Sequence, residues 1–147
     1  MSKRQLDNLV AGGHLKREAP AASEIDGLLQ SGDARLRDAE KTALSTESRF
    51  DLAYNAAHAY ALAALRWHGY RPASRYMVFQ TLAHTLSIPA AQWRVLADAH
   101  RMRNAIEYGG ALGADTQFVE AVLRVTREVA TRARALGTPK EQGERLR

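Results

Sequence analysis

Apolar residues recur at three- and four-residue spacing in five segments of the chain, and this spacing predicts five amphipathic helices. The first predicted helix begins near Ser23, a good N-terminal cap, and continues to about Ala39. Gly27 and Gly32 lower its intrinsic helix propensity. The residues that it should bury are Ile25, Leu28, Leu29, Leu36 and Ala39.

The second predicted helix runs from about Thr46 to His68 and is rich in alanine, which predicts close approach to a neighbouring helix. Gly69 should end it, and the turn that follows contains Pro72, with Ser74 as the next cap. One apolar stripe on this helix contains Phe50, Ala53, Tyr54, Ala57, Ala61, Ala64 and Leu65.

Three further helices complete the predicted set. A third helix covers about 74–85, and a fourth opens at the Ser87-Ile88-Pro89 step and ends near Tyr108, ahead of Gly109-Gly110. A fifth begins with Asp115 as its cap and ends near Leu136, where Gly137 and Pro139 close it. Its apolar stripe contains Phe118, Val122, Val125, Val129, Ala133 and Leu136.

These segments predict an all-α fold, an up-and-down bundle of four to five helices, because amphipathic stripes joined by short connections can be buried only against one another. We find no convincing strand and no internal repeat. The bundle should occupy residues 21–137. Residues 1–20 are predicted to form a flexible or short-helical N-terminal arm, and residues 138–147 a charged C-terminal tail.

Composition narrows the class of protein. The chain has 147 residues and no cysteine, which excludes disulfides, thiolate metal sites and thiol nucleophiles. Its N-terminus lacks the apolar stretch of a secretory signal, and the longest apolar run, Ala59–Leu65, is too short to span a bilayer. A soluble cytoplasmic protein is therefore expected.

The net charge of +5 is concentrated in the middle of the chain. Residues 49–103 contain seven arginines against only Asp51 and Asp98. Such a concentration suits an anionic partner such as RNA or a nucleotide phosphate, although a solubilising surface is the simpler interpretation.

The fourth predicted helix carries the most informative polar set. At about 100° per residue, Val95, Ala99, Met102 and Ile106 share the arc that faces the core. His100, Arg103 and Glu107 share a second arc about a quarter-turn away, with Asn104 just beyond. A polar set at the edge of a core can act on a ligand. The competing interpretation is an ordinary salt bridge between Arg103 and Glu107, four residues apart.

The stretch FDLAYNAAHAYALAALRWHGYRP (50–72), followed by a helix and then by HRMRNAIEYGG (100–110), resembles the HEPN superfamily of helical nucleotide-binding domains. The resemblance covers about 22–136. It implies a bundle that usually dimerises, and many members are metal-independent endoribonucleases, including toxins of toxin–antitoxin pairs and phage-defence proteins. Their motif is an arginine, a polar residue, and a histidine five to seven positions after the arginine.

In the family the arginine stabilises phosphate charge and the histidine moves protons, with two motifs facing each other across the dimer cleft. Here Arg103 and Asn104 match the first two positions, but Tyr108 stands where the histidine is expected. Tyrosine titrates near pH 10 and is a poor proton shuttle at neutral pH. His100 is a possible spatial substitute. In a second register Arg101 is the motif arginine, and Tyr108 then resembles a tyrosine that partner nucleotidyltransferases modify with AMP.

We therefore expect a HEPN-type domain that binds RNA or a nucleotide, as a homodimer, with a degenerate catalytic motif of Arg103, Asn104, Tyr108 and His100. Arg101 is predicted to contribute to binding, and Tyr70, Arg71 and Arg75 to extend the basic cleft. The alternatives are an active metal-independent endoribonuclease toxin and a non-catalytic helical dimer. A nucleotidyltransferase or antitoxin is a possible partner; no membrane, metal or cofactor is expected.

Overall fold

A computed structural model of the chain describes residues 2–109, 113 and 115–139. The fold is mostly helical, with one small sheet of two strands. In chain order the elements are α1 (Ser2–Ala11), β1 (Leu15–Arg17), α2 (Ala22–Ala39), α3 (Thr46–Trp67), β2 (Tyr70–Pro72), α4 (Arg75–Gln80), α5 (Leu82–Thr85), α6 (Ala90–Gly109) and α7 (Thr116–Ala135).

Helix α3 is the centre of the bundle, and α2 and α7 lie along it. Helix α2 runs antiparallel to α3, since Gly32 of α2 meets Tyr60 and Arg49 reaches back to the carbonyl of Ala39. Helix α7 runs parallel to α3, with Phe118 beside Phe50 at one end. The apolar stripe predicted for α3 is buried along its whole length. This close approach is possible because most of its residues are alanines.

The predicted boundaries of α3 and α7 agree well with the structure. The prediction that Ser23 caps α2 is wrong, because this helix begins at Ala22, after Ala21, and has no side-chain cap. Ser45, Ser74 and Asp115 cap α3, α4 and α7, each accepting a hydrogen bond from a first-turn backbone N–H. The single helix predicted over 74–85 is instead two short helices that meet at Thr81. There the Thr81 hydroxyl donates to the Val78 carbonyl at 2.8 Å, a local bond that competes with the helical pattern.

The absence of strands was a wrong prediction. β1 and β2 pair antiparallel, with Lys16 opposite Arg71. Residues 2–20, called the N-terminal segment below, contain the helix α1 and the strand β1, and they pack against the rest of the fold. Leu6 and Leu15 are buried in a second, smaller apolar cluster with Leu65, Tyr70 and Met77. This N-terminal segment therefore covers the turn between α3 and α4.

Most of the C-terminal tail predicted at 138–147 lies outside the described residues, as do Gly110 and its immediate successors. Within the described part of the chain, no helix combines the length and the apolar character needed to cross a membrane.

Candidate functional site

Three helices bring aromatic, histidine and arginine side chains together around one buried ring, that of Tyr54. We call this set the Tyr54 cluster. It consists of Tyr54 and His58 from α3, Arg75, Tyr76 and Phe79 from α4, and His100, Arg103 and Asn104 from α6. Helix α4 contacts both α3 and α6, so the three backbones converge at this point.

Two guanidinium groups approach the ring of Tyr54. The guanidinium carbon of Arg103 lies 5.3 Å from the ring centroid, and that of Arg75 lies 5.9 Å from it. Both distances fall within the range of cation–π attraction. The Tyr54 ring itself is fully buried. The ring therefore lies beneath both guanidinium groups and attracts them to the same part of the surface.

His100 is held at both ring nitrogens. Its Nδ1 lies 2.9 Å from the Tyr54 hydroxyl, and its Nε2 lies 3.3 Å from the side-chain amide nitrogen of Asn104. The ring also lies near those of Tyr76 and Phe79, with centroid separations of 5.8 Å and 6.4 Å. These contacts fix the orientation of the imidazole at the edge of the core.

Arg103 forms the predicted salt bridge and also lies at the edge of the core. Its guanidinium forms an ion pair with Glu107 at 3.2 Å, one turn along the helix. Its side chain is also 27% exposed and rests against Tyr54, on the shoulder of the core where the helical pattern places it. Ala99 is buried and Met102 partly buried, as predicted for the core-facing arc of α6.

The structure does not bring Tyr108 into the cluster. Its side chain is 82% exposed on the last turn of α6. Arg101 is exposed and pairs with Asp98 on the same helix. Among the residues predicted for catalysis, the fold thus groups His100, Arg103 and Asn104.

Two residues predicted to extend the basic cleft are engaged with the N-terminal segment instead. Tyr70 is 3% exposed and donates its hydroxyl hydrogen to Asp7 at 2.6 Å. Arg71 forms ion pairs with Glu18 at 2.6 Å and Glu24 at 3.0 Å. A buried tyrosine cannot stack on a base. Of that predicted group, Arg75 alone joins the Tyr54 cluster.

Sequence reasoning missed Tyr54 and His58 as members of the site. Tyr54 was assigned to the core stripe of its helix. The two are four residues apart and so share one face of α3. His58 is partly buried with its ring edge-on to Phe79, at a centroid distance of 6.0 Å. A tyrosine and a histidine at this spacing were the available signal.

Burial and positive charge both oppose protonation of the two histidines. Burial lowers the pKa of His58 from 6.5 to about 4, assisted by the charges of Arg75, His100 and Arg103. Burial also lowers the pKa of His100, assisted by Arg75 and Arg103. Both imidazoles are therefore neutral at physiological pH.

This arrangement predicts a loss of stability in mild acid. The unfolded chain takes up a proton at His58 near pH 6.5, whereas the folded chain does so only near pH 4. The free energy of unfolding should therefore fall between pH 6.5 and 4, by at most about 1.4 kcal/mol per pH unit for this group. His100 and His84, whose pKa values are also lowered, add in the same direction.

Urea unfolding at stepped pH measures this slope. The interval from pH 6.5 to 5.5 separates the histidines from the carboxyl groups. Glu18 and Glu24, whose folded-state pKa values are lowered, contribute to the slope as the pH approaches their unfolded value of 4.5. His58→Gln should flatten the curve relative to the wild-type chain. An equal slope in both proteins would contradict the assignment of the acid sensitivity to His58.

In the part of the chain that the structure describes, no group of three or more histidine, aspartate or glutamate side chains is arranged to hold a metal ion. What the cluster offers is positive charge and an oriented imidazole beside the buried ring of Tyr54, which suit a phosphate-bearing anion.

Comparison of the chain with protein-family models, curated proteins and solved structures gives no match.

Proposed function

We propose that this protein binds RNA or a nucleotide at the Tyr54 cluster, with Arg75 and Arg103 contacting phosphate and His100 contacting the same ligand. The observation that carries the proposal is the convergence of two guanidiniums, 5.3 Å and 5.9 Å from one buried ring. In the described residues Arg75 has no carboxylate partner, and Arg103 has Glu107 alone. Two cations that have a single carboxylate partner keep a net positive charge, which attracts an anion.

The resemblance to HEPN domains supports the same proposal from the sequence. The arginine and polar positions of that family's motif correspond to Arg103 and Asn104, and both belong to the cluster. In this interpretation the protein is a HEPN-type domain whose catalytic motif is degenerate, because Tyr108 replaces the histidine and lies exposed. Binding then persists where cleavage has been lost.

Fluorescence anisotropy with a labelled single-stranded RNA tests the proposal. Arg103→Ala and Arg75→Ala should each weaken binding by about tenfold, the effect of losing one charged contact to phosphate. Affinity should also fall with rising salt, and the slope should be shallower in each variant. Competition with a mononucleotide separates RNA binding from nucleotide binding.

Arg35→Ala is the matched control for this experiment. Arg35 is an exposed arginine on α2 that contacts Ser31 within its own helix, so its removal changes the net charge by the same amount. RNA affinity should then change by less than about twofold, as expected for a distant exposed charge. Equal weakening by all three substitutions would indicate a nonspecific charge effect and contradict the site.

Metal-independent RNA cleavage is the second candidate function. It is favoured by one observation: His100 and Arg103 share Tyr54 as a contact, so an imidazole and a guanidinium stand together within one chain. Incubation of RNA with purified protein in a metal chelator tests it. Cutting that is lost in both His100→Ala and Arg103→Ala would support an enzyme, whereas cutting unaffected by either would indicate a contaminant.

We also propose, on the resemblance alone, that two copies of the chain pair so that their Arg103 side chains face a common cleft. Light scattering of the purified protein tests this, since a monomeric mass would contradict it. A role in a toxin–antitoxin or defence system, with an antitoxin or nucleotidyltransferase partner in the cytoplasm, belongs to the same proposal. A neighbouring gene of either type would support it.

A further inference from the structure

The hydrogen bond between the Tyr54 hydroxyl and His100 bears on which of the two ring nitrogens of His100 is protonated. Tyr54 is fully buried, and within the described residues its hydroxyl has one hydrogen-bonding partner, His100 Nδ1 at 2.9 Å. A neutral imidazole has one N–H and one lone pair, so two patterns fit this distance. Either Nδ1–H donates to the tyrosine oxygen, or the tyrosine O–H donates to Nδ1.

The first pattern leaves a buried donor without an acceptor. If Nδ1–H donated to Tyr54, the tyrosine's own hydrogen would have no acceptor among the described residues, and a buried donor without a partner is unfavourable. The second pattern satisfies both groups. It places the hydrogen of His100 on Nε2, at the partly exposed edge of the ring. The penalty for an unpartnered buried donor favours this tautomer by about fivefold to 100-fold.

Asn104 can adapt to the second pattern at little cost. Its amide lies 3.3 Å from Nε2 and its side chain is exposed. A half-turn of the amide places the carbonyl oxygen, rather than the nitrogen, against Nε2–H. An exposed amide is also readily displaced by a ligand oxygen. Nε2–H is therefore directed to the surface between Asn104 and the arginines of the cluster.

We infer that Tyr54 is a positioning residue that holds His100 as the Nε2–H tautomer, so that His100 donates a hydrogen bond to a phosphate oxygen and does not act as a base. A base needs an unoccupied lone pair, and the lone pair of Nδ1 is occupied by the Tyr54 hydroxyl. The phosphate is the ligand of the proposed function, whereas the tautomer does not depend on it.

The groups that face His100 from every packed element favour its neutral form. Arg75 from α4 is positive, as are Arg103 and Arg101 from its own helix, and His58 from α3 is neutral. Tyr54 adds a hydrogen bond that only the neutral ring can accept at Nδ1. A neutral Nε2–H beside two guanidiniums gives the site three donors for one anion.

Nitrogen-15 NMR of the full chain at pH 7.5 reads the tautomer directly, because protonated and unprotonated ring nitrogens resonate far apart. The wild-type chain should show His100 with a protonated Nε2 and an unprotonated Nδ1. Tyr54→Phe removes the donor to Nδ1 and should change the His100 signals, whereas Tyr76→Phe should leave the tautomer as it is. A protonated Nδ1 in the wild-type chain would overturn the inference.

Two substitutions at His100 distinguish a donor from a base. The side-chain amide of His100→Gln can replace the Nε2–H donor, so its RNA affinity should stay within about threefold of wild type, whereas His100→Ala should lose about tenfold. Cleavage by the wild-type chain that is abolished in both variants would overturn the donor role. If the wild-type chain binds no RNA or nucleotide at all, the proposed function fails, and the NMR result still decides the tautomer.

Discussion

Replacing Arg66 with alanine is expected to lower the free energy of unfolding by about 3–5 kcal/mol, the cost of removing one partner from a buried ionic network. Arg66 is 1% exposed. Its guanidinium donates to the carbonyls of Glu18, Ala19 and Tyr70 at 2.8–3.1 Å, and its Nε donates to the Glu24 carboxylate at 3.0 Å. Removing the Arg66 side chain leaves three carbonyls without these donors, at the place where the N-terminal segment packs against α3.

Arg71 provides the matched control. It contacts the same two carboxylates, those of Glu18 and Glu24, but its side chain is 37% exposed. Arg71→Ala should therefore cost less than about 1 kcal/mol, as for other surface ion pairs. Urea unfolding monitored by circular dichroism measures both variants. Arg66→Lys retains the charge but has fewer donors, so its loss of unfolding free energy should exceed that of Arg71→Ala and be smaller than that of Arg66→Ala. It takes the place of Arg66→Ala in the comparison if that variant does not fold. Equal losses in Arg66→Ala and Arg71→Ala would show that burial of the guanidinium contributes nothing.

Hydrogen exchange should localise the effect of Arg66→Ala. Of the backbone carbonyls that Arg66 holds, those of Glu18 and Ala19 follow directly after β1, and that of Tyr70 belongs to β2, so the β1–β2 pairing should open more often in this variant. Faster exchange confined to α1, β1 and β2 is the expected pattern. Uniform acceleration across the bundle would mean that the N-terminal segment does not open as a separate unit.

The larger helices could be predicted because their burial is periodic. Alanine and large apolar residues at three- and four-residue spacing located α2, α3, α6 and α7, and Ser45, Ser74 and Asp115 mark real helix starts. The same periodicity placed His100 and Arg103 at the edge of the core. Local sequence contains this information because the angular position of a residue on a helix depends on its number alone.

Contacts between distant segments could not be predicted in this way. β1 pairs with residues more than fifty positions later, and each strand has only three residues, too few for an alternating pattern. The N-terminal segment also covers Tyr70 and forms an ion pair with Arg71. These two residues were expected at a basic cleft, but they contact this segment instead. Tyr54 resembled any other core aromatic because its hydroxyl partner lies on another helix.

The two glycines of α2 should respond in opposite directions to the same substitution. Gly27 is exposed, and a Cβ added there would meet nothing within 4 Å. Gly27→Ala should therefore stabilise the protein by about 0.5–1 kcal/mol, the difference in helix propensity between glycine and alanine. Gly32 is buried, and a Cβ added there would lie 2.8 Å from the ring of Tyr60.

Tyr60 cannot yield easily, because its ring is fully buried and its hydroxyl donates to Asp33 at 2.5 Å. Forcing a methyl group into such a contact costs about 1–3 kcal/mol, more than the gain in helix propensity. Gly32→Ala should therefore destabilise the protein by about 1–2 kcal/mol net in urea unfolding. Repeating the substitution in a Tyr60→Leu background tests the cause, since without the ring Gly32→Ala should become neutral or stabilising. If Gly32→Ala is as destabilising without the ring as with it, α2 and α3 are kept close by some contact other than the one between Gly32 and Tyr60.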